Sequence, residues 1–265
     1  MDDNEFMIFG SGAAQEMHRR WFESHIGKFN LEYKNRSDDF HGLAISGPKS
    51  REVLQKVVRD NVSNEKFKFR DSRRMYVAGV PAIVNRISFT GELGYEIYVA
   101  PHYQIKLYEE LTEAGKEFNI KPFGLRALMS MRLEKNWGAW ALDYRPDFTA
   151  KETGLDAFIN WDKDFIGKKY AKEDNSVNKL TPMVVETNEI DVTYNEAVLK
   201  DDKAIGYVTS GGFAHFVNKS VAFSYLDTNK LNSGKGIQVE INGDLFNCNL
   251  IKEPLYDPSG SKMRS

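Results

Sequence analysis

The hydrophobic positions in the first two thirds of the chain follow two alternating periodicities. Apolar runs with period two predict strands, and apolar positions three and four apart predict helices between them. The predicted strands are Glu5–Phe9, Phe40–Ser46, a hairpin over Met75–Ser88 with Gly79 near its turn, and Tyr95–Val99. The predicted helices run from about Ser11 to Ile26, from Pro48, from Pro101, from Gly124 to about Lys135, and from a capping box at Thr149–Glu152. This alternation predicts an α+β layer structure over residues 1–172.

The pattern changes after the polar run Lys172–Lys179, which is typical of a linker. Only short strands follow it: Met183–Glu186, Ile205–Thr209, Ser220–Leu226, Ile237–Ile241 and Leu245–Ile251. Asn242-Gly243 between the last two is a strong signal for a hairpin with a primed turn. We therefore expect residues 173–265 to form a small β-barrel or sandwich.

Composition and charge exclude several classes of protein. The chain has 265 residues, of which 41% are hydrophobic, and a formal charge of -2 from 36 basic and 38 acidic residues. A chain with this balance of charge has no net positive electrostatic field that would attract nucleic acid. No apolar run approaches the ~20 residues of a spanning helix, and the acidic start lacks the apolar core of a signal peptide. We therefore expect a cytoplasmic protein without a membrane or nucleic-acid partner.

Several common site motifs are missing from the sequence. Neither G-x-G-x-x-G nor a Walker A sequence occurs, so no nucleotide site of either type is predicted. The five histidines are scattered and no acidic residue completes a metal set with them. Cys248 is alone, which excludes an internal disulfide and favours a small core residue. We expect no metal site.

The segment Arg86–Glu96 carries the most informative candidate chemistry. Glu92 and Glu96 flank Gly94-Tyr95 at the start of a predicted strand, after a Thr-Gly turn. A carboxylate in such a place can accept two parallel N–H bonds from a planar heterocycle, and a tyrosine ring offers a flat wall. The alternative is a strand entered through a glycine turn, with both glutamates in water. The pattern alone leaves both interpretations open.

Three aromatic residues directly follow the Gly124 helix. Trp137, Trp140 and Tyr144 surround a Gly-Ala pair that favours a loop. Such rings stack on a flat ligand, or they seal the contact between two domains. Taken alone, the two interpretations have equal weight.

Six motifs occur in an order that resembles a known family. They are Gly-Pro-x-Ser-Arg at 47–51, the segment 86–96, Gly-Leu-Arg-Ala-Leu-Met-Ser-Met-Arg-Leu-Glu-Lys at 124–135, Asp-Lys-Asp-Phe-Ile-Gly at 162–167, Val-Thr-Ser-Gly at 208–211 and Pro-Leu-Tyr-Asp-Pro at 254–258. Together they resemble the tetrahydrofolate-binding half of dimethylglycine and sarcosine dehydrogenases, which is similar to the glycine-cleavage aminomethyltransferase, or T-protein. The resemblance implies a three-lobed fold around a central folate site, with an incomplete first lobe and a β-barrel as the last lobe.

The resemblance also implies the residues of a folate site. Glu96 matches the family carboxylate that holds the pterin, whose N3–H and 2-amino group form a planar donor pair. Tyr95, Glu92 and Gly94 match the wall of that pocket, and Trp137 matches an aromatic residue that packs on the cofactor. Gly10 and Ser11 fall where the backbone of the first lobe faces the folate.

The implied function is transfer of a one-carbon unit from an N-methyl or aminomethyl donor to tetrahydrofolate. FAD enters only through a domain or flavoprotein partner outside this chain. Two departures stand out: Leu128 replaces a family arginine, and the segment with the family's catalytic aspartate, upstream of the strand at Glu5, is not in the chain. We therefore expect weak turnover by the chain alone. The alternative is a non-catalytic folate-binding or docking subunit that needs a flavoprotein partner.

Overall fold

A computed structural model describes residues 4–187, 190–231 and 236–265. The helices are α1 (Gln15–Ile26), α2 (Ser50–Val57), α3 (Gln104–Gly115), α4 (Leu125–Glu134), α5 (Ala150–Thr153), α6 (Lys168–Lys172), α7 (Thr228–Leu231) and α8 (Ser261–Arg264). The strands are β1 (His41–Ser46), β2 (Ser72–Val77), β3 (Val80–Asn85), β4 (Gly94–Val99), β5 (Asn178–Val185), β6 (Ala197–Lys200), β7 (Lys203–Ala214), β8 (Lys219–Asp227), β9 (Ile237–Ile241) and β10 (Asp244–Leu250).

The first four strands form one antiparallel sheet in the order β1-β4-β3-β2. Helices α2 and α3 pack on one face of it, and the core there includes Leu54, Val77, Ile97 and Leu107. The order places β4, which carries the candidate carboxylate, between β1 and β3. The predicted hairpin is confirmed as β2 and β3, and Pro81 sits near the start of β3, where it costs little pairing.

The run Glu5–Phe9 is not a strand, so that prediction was wrong. Phe6 and Ile8 are 83% and 68% exposed, and the run pairs with no described strand. A β-strand needs a neighbour to satisfy its backbone groups, and an apolar run alone does not supply one. Phe9 instead places its ring 4.9 Å from the ring of Tyr98 on β4.

The last six strands close into a barrel in the order β10-β5-β8-β7-β6-β9. The barrel, rather than the sandwich, is therefore the architecture of this region. Asn242 and Gly243 both have positive φ, 53° and 92°, as a type I′ turn requires. The short strand β6 was missed because Ala-Val-Leu-Lys does not alternate.

Two segments join the barrel to the first sheet. Helix α4 packs on β7 and β8, where Leu133 joins Val221 and Phe223 in a separate apolar cluster. The segment after β10 returns to the first region, where Arg51 and Arg86 donate to the main-chain oxygen of Ser265 at 2.5 and 2.6 Å. The segment after β10 therefore bonds directly to residues of the first region.

Candidate functional site

Glu96 lies in the middle of β4, on the sheet face opposite the helices. Strand residues alternate between faces, and Tyr95, Ile97 and Val99 are buried in the core. Glu96 and Tyr98 are half-buried on the other face, where the Tyr98 hydroxyl donates to Oε2 of Glu96 at 2.6 Å. Burial raises the pKa of Tyr98, and the bond to Glu96 raises it further. The phenol therefore remains a donor to the carboxylate at neutral pH.

Asn85 is directly opposite Glu96 in the sheet. The register pairs Glu96 with Asn85 on β3 and with Ala44 on β1, and opposed side chains point to the same face about 4.5–5.5 Å apart at Cβ. Asn85 is 5% exposed, and its Oδ1 has no hydrogen-bond partner among the described residues. Because buried amide oxygens are normally paired, this arrangement suits a ligand rich in N–H donors.

Glu92, the other candidate carboxylate, faces the segment after β10. It accepts a hydrogen bond from the Tyr256 hydroxyl and lies 3.9 Å from Nζ of Lys262. Burial raises the pKa of Glu92, although Lys262 acts to lower it. The two glutamates thus have different neighbours: Glu96 has Tyr98 and Asn85, whereas Glu92 helps to join the C-terminal segment to the sheet.

Tyr95 and Gly94 shape the start of β4 from inside. Tyr95 is 1% exposed and stacks on Phe67 with ring centroids 5.8 Å apart, on the core side of the sheet. A Cβ on Gly94 would lie 3.1 Å from the carbonyl oxygen of Ile87 and 3.3 Å from that of Ile45. The backbone is too close there for most side chains, so this position favours glycine.

Trp137 follows α4 and lies between the two parts of the fold. Its ring stacks on Phe89, with centroids 6.5 Å apart, and Nζ of Lys135 lies 5.8 Å from the ring centre. Its carbonyl accepts from Arg132 at 2.9 Å. Phe89 belongs to the loop between β3 and β4, so Trp137 contacts the loop that leads to Glu96.

Gly10 and Ser11 lie just before the first helical turn. The main-chain oxygen of Ser11 accepts from the amide of Ala14, and a Cβ on Gly10 would be 3.0 Å from Nδ1 of His18. The His18 ring meets Trp140 edge-on at 5.7 Å. This turn therefore lies beside the loop that contains Trp140. Among the described residues, neither Gly10 nor Ser11 forms a hydrogen bond with Glu96.

The loop that contains Trp137 and Trp140 is supported by a buried polar network, which the sequence did not reveal. Arg132 and Asp143 are 1% and 0% exposed and form an ion pair at 2.8 Å. The hydroxyls of Thr209 and Ser210 donate to the other oxygen of Asp143, and the Tyr225 hydroxyl donates to its carbonyl. These partners lie far apart in sequence. The only available signal was an arginine on the otherwise apolar side of the α4 pattern.

A cavity of about 620 Å³ runs along the free edge of β1. Ala44 lines it, which places the cavity one strand away from Glu96. Leu128, the residue that replaces the family arginine, lines it as well, together with apolar side chains such as Leu43, Phe118 and Ile120. An apolar side chain therefore stands where the resemblance implies an arginine, although Lys49 and Lys121 also line the cavity.

The described residues contain neither a metal-binding cluster nor a membrane-spanning helix. Over 4–187, 190–231 and 236–265, no group of three or more His, Cys, Asp or Glu side chains is placed to hold a metal ion. In the same ranges no helix has both the length and the apolarity to cross a membrane.

Two family models match the chain in succession. The one described as the GCVT N-terminal domain matches residues 1–163, and the one described as the glycine cleavage T-protein C-terminal barrel domain matches residues 178–257. The chain belongs to the glycine cleavage T-protein family. Proteins similar to this chain include dimethylglycine dehydrogenases and aminomethyltransferases, and the dehydrogenases are the longer of the two.

The chain is 34% identical over 270 residues to human mitochondrial dimethylglycine dehydrogenase, covering 98% of itself and 31% of that protein. It is 31% identical over 265 residues to an aminomethyltransferase of Thermoanaerobacter pseudethanolicus, covering 71% of that protein. The chain thus spans about a third of the dehydrogenases that it matches. The crystal structure of glycine cleavage system aminomethyltransferase T from Bartonella henselae shares its fold, with a TM-score of 0.79 over 93% of this chain and 67% of that one, at 21% identity.

Proposed function

We propose that this chain binds tetrahydrofolate and serves in one-carbon transfer, as the transferase part of a dimethylglycine or sarcosine dehydrogenase-like enzyme. The observation that carries the proposal is the pair of acceptors on one sheet face, the Glu96 carboxylate and the unpaired buried Oδ1 of Asn85. A pterin edge presents adjacent N–H donors, which match such a pair. Family membership supports the proposal, since relatives of this chain are named aminomethyltransferases.

In this proposal each predicted site residue has a task that its position allows. Glu96 accepts the pterin N–H groups, a charge-assisted interaction, and Tyr98 holds its second oxygen. Trp137 packs against the folate from beside the loop that leads into β4. Tyr95, Gly94 and Glu92 support β4 from the core and from the C-terminal segment, and Gly10 and Ser11 border the site at the first turn.

Bound tetrahydrofolate supplies N5 and N10, the nucleophilic nitrogens that take up the one-carbon unit. The contribution of the chain is orientation, because a nucleophile held in place reacts as if it were at very high concentration. Proton transfer needs a general acid or base near those nitrogens. We assign that role to no residue of this chain, and we expect turnover to depend on a partner that supplies it, such as a flavoprotein that generates the one-carbon donor.

Calorimetric titration of the chain with tetrahydrofolate tests the proposal. We expect saturable binding with one site per chain. Titration of the Glu96→Gln variant in parallel tells whether the heat comes from the assigned site. A chain that shows no binding at millimolar tetrahydrofolate would contradict the proposal.

A second measurement distinguishes the transferase role from the alternative function, a non-catalytic folate-binding or docking subunit. The loaded chain is incubated with an N-methyl or aminomethyl donor, with and without a flavoprotein dehydrogenase, and 5,10-methylene-tetrahydrofolate is measured. Product that requires the flavoprotein supports the transferase role. Folate binding without product under either condition favours the alternative.

A further inference from the structure

Lys135 is almost completely buried, and its ammonium is both ion-paired with Asp257 and bonded to main-chain carbonyls. The residue directly follows α4 and is 2% exposed. Its Nζ donates to the carbonyl oxygens of Tyr256 and Asp257 at 3.1 and 2.6 Å, while the Asp257 carboxylate is 3.7 Å away. Burial lowers the pKa of Lys135, and Asp257 acts in the opposite direction. Burying an ammonium costs free energy even when it is paired with a carboxylate, so the position of Lys135 calls for an explanation.

The aliphatic stem of Lys135 packs on the turn that leads into β4. Gly91 has φ of 87°, and a Cβ built on it would lie 2.5 Å from Cγ and Cδ of Lys135. The turn therefore has no room for a side chain where the lysine stem passes. The same turn contains Glu92, which is bonded to Tyr256. Lys135 and Glu92 thus hold the turn against the same C-terminal segment.

The charged end of Lys135 lies over Trp137, with 5.8 Å between Nζ and the ring centre. The ring also stacks on Phe89, three residues after Arg86 in the loop before β4. A cation over an indole face is attracted by the ring quadrupole. One side chain therefore contacts the turn before Glu96, the proposed aromatic cover of the folate, and the C-terminal segment.

We propose that Lys135 is a positioning residue of the folate site, which fixes Trp137 and the Gly91 turn relative to each other. The inference rests on the proposed function and adds a residue that neither family resemblance nor sequence pattern assigned. Its ammonium orients the ring, its stem orients the turn, and the carbonyls of Tyr256 and Asp257 orient the ammonium. The folate site then depends on the docking of the C-terminal segment.

The Lys135→Met variant keeps the apolar stem and removes the ammonium. The matched control is Lys200→Met in β6, because Lys200 is 9% exposed and its ammonium donates to the carbonyl of Leu231 in the barrel, away from Trp137. Both variants should lose stability in urea unfolding to a similar extent. Only Lys135→Met should raise the tetrahydrofolate Kd, by roughly tenfold if the ring and turn lose their alignment.

Fluorescence gives a readout that does not need folate. In a chain that carries Trp21→Phe, Trp140→Phe and Trp161→Phe, so that Trp137 is the remaining tryptophan, Lys135→Met should shift the emission of Trp137 and increase its quenching by acrylamide. Lys200→Met should change neither. Wild-type emission and quenching in Lys135→Met, or an equal loss of folate affinity in both variants, would overturn the inference. A wild-type chain that does not bind folate, yet shows the Trp137 change on Lys135→Met, would overturn the proposed function instead.

Discussion

The face of β4 on which a residue lies decides whether its side chain is buried in the core. The Gly94-Tyr95-Glu96 sequence places its tyrosine in the core and its glutamate on the opposite face, although the two are neighbours in sequence. The sequence identified both as candidates. It could not say which of them is buried under the helices, because alternation separates the two faces without showing which face the helices cover.

Glu96→Gln tests the proposed pterin carboxylate. The substitution keeps the size of the side chain but places an N–H donor against a donor of the ligand, so a charge-assisted bond worth about 1.5–3 kcal/mol is lost. Tetrahydrofolate affinity in calorimetry should fall by roughly one to two decades. Glu92→Gln, which alters the contact with Tyr256, should change affinity less. Equal affinity in wild type and Glu96→Gln would place the pterin elsewhere.

Asp143→Asn tests the buried network behind the Trp137 loop. The change leaves the guanidinium of Arg132 buried without its carboxylate, and breaking a buried pair in this way costs about 3–5 kcal/mol. The free energy of unfolding in urea should fall by that amount. Asp147→Asn is the control, because its pair with Arg145 is at the surface, with the aspartate 59% exposed, and such pairs contribute about 0–1 kcal/mol. Similar losses in both variants would contradict the role of the network.

At the scale of elements, local signals predicted most boundaries and tertiary contacts decided the exceptions. The capping box at Thr149 is present in full, with Thr149 and Glu152 each accepting the other's amide. The Asn242-Gly243 turn was likewise predicted from two adjacent residues. The run Glu5–Phe9 failed as a strand and β6 was overlooked, since pairing partners decide whether a short apolar segment becomes a strand.

Two of the three glycines of β7, Gly206 and Gly212, should respond differently to replacement by alanine. A Cβ on Gly206 would collide with the carbonyl oxygen of Tyr225 on β8, whereas the nearest atom to a Cβ on Gly212 is Cδ1 of Leu133 at 3.7 Å. Gly206→Ala should therefore lower stability in urea unfolding by at least about 1–3 kcal/mol, the cost of overpacking. Gly212→Ala should be nearly neutral. A neutral Gly206→Ala would show that the barrel tolerates a wider spacing between β7 and β8.

At the scale of the whole molecule, the segment after β10 joins the barrel to the first sheet. Tyr256 bonds to Glu92, Lys135 binds the carbonyls of Tyr256 and Asp257, and the main chain at Ser265 accepts from two arginines. None of these contacts is local. They make the candidate site a product of both regions, and they predict that its stability responds to charges in this segment.

The carboxyl group of Asp257 should make the free energy of unfolding depend on pH. Burial acts to raise the pKa of its carboxyl, but bonds from the Ser261 hydroxyl and the amides of Lys262 and Ser261, with the charge of Lys135, hold it at about 2. The unfolded value is about 3.9. Because the folded pKa is the lower one, the carboxylate stabilises the fold fully above about pH 4, and this contribution is lost as the pH falls towards 2.

The measurement is urea unfolding of wild type and Asp257→Asn at several acidic pH values. The stability gap between them should shrink as the pH falls below about 4. Asp202→Asn is the control, since it removes an exposed carboxylate in the turn between β6 and β7, where asparagine tolerates φ of 59°. A gap of constant size down to the lowest pH at which the chain stays folded would refute the assignment.

The sequence by itself determined most of the strands and helices of the first region, the change to a strand-rich region after the linker, and Glu96 as the leading candidate. These follow from periodicity, turn residues and motif order, which act over a few residues. The barrel that the resemblance implied is confirmed, but only the tertiary structure decided that Asn85 lies beside Glu96 and that Lys135 meets Gly91, Trp137 and the C-terminal segment. Those contacts join residues distant in sequence. They depend on strand register and on how the two regions pack, neither of which a local pattern encodes.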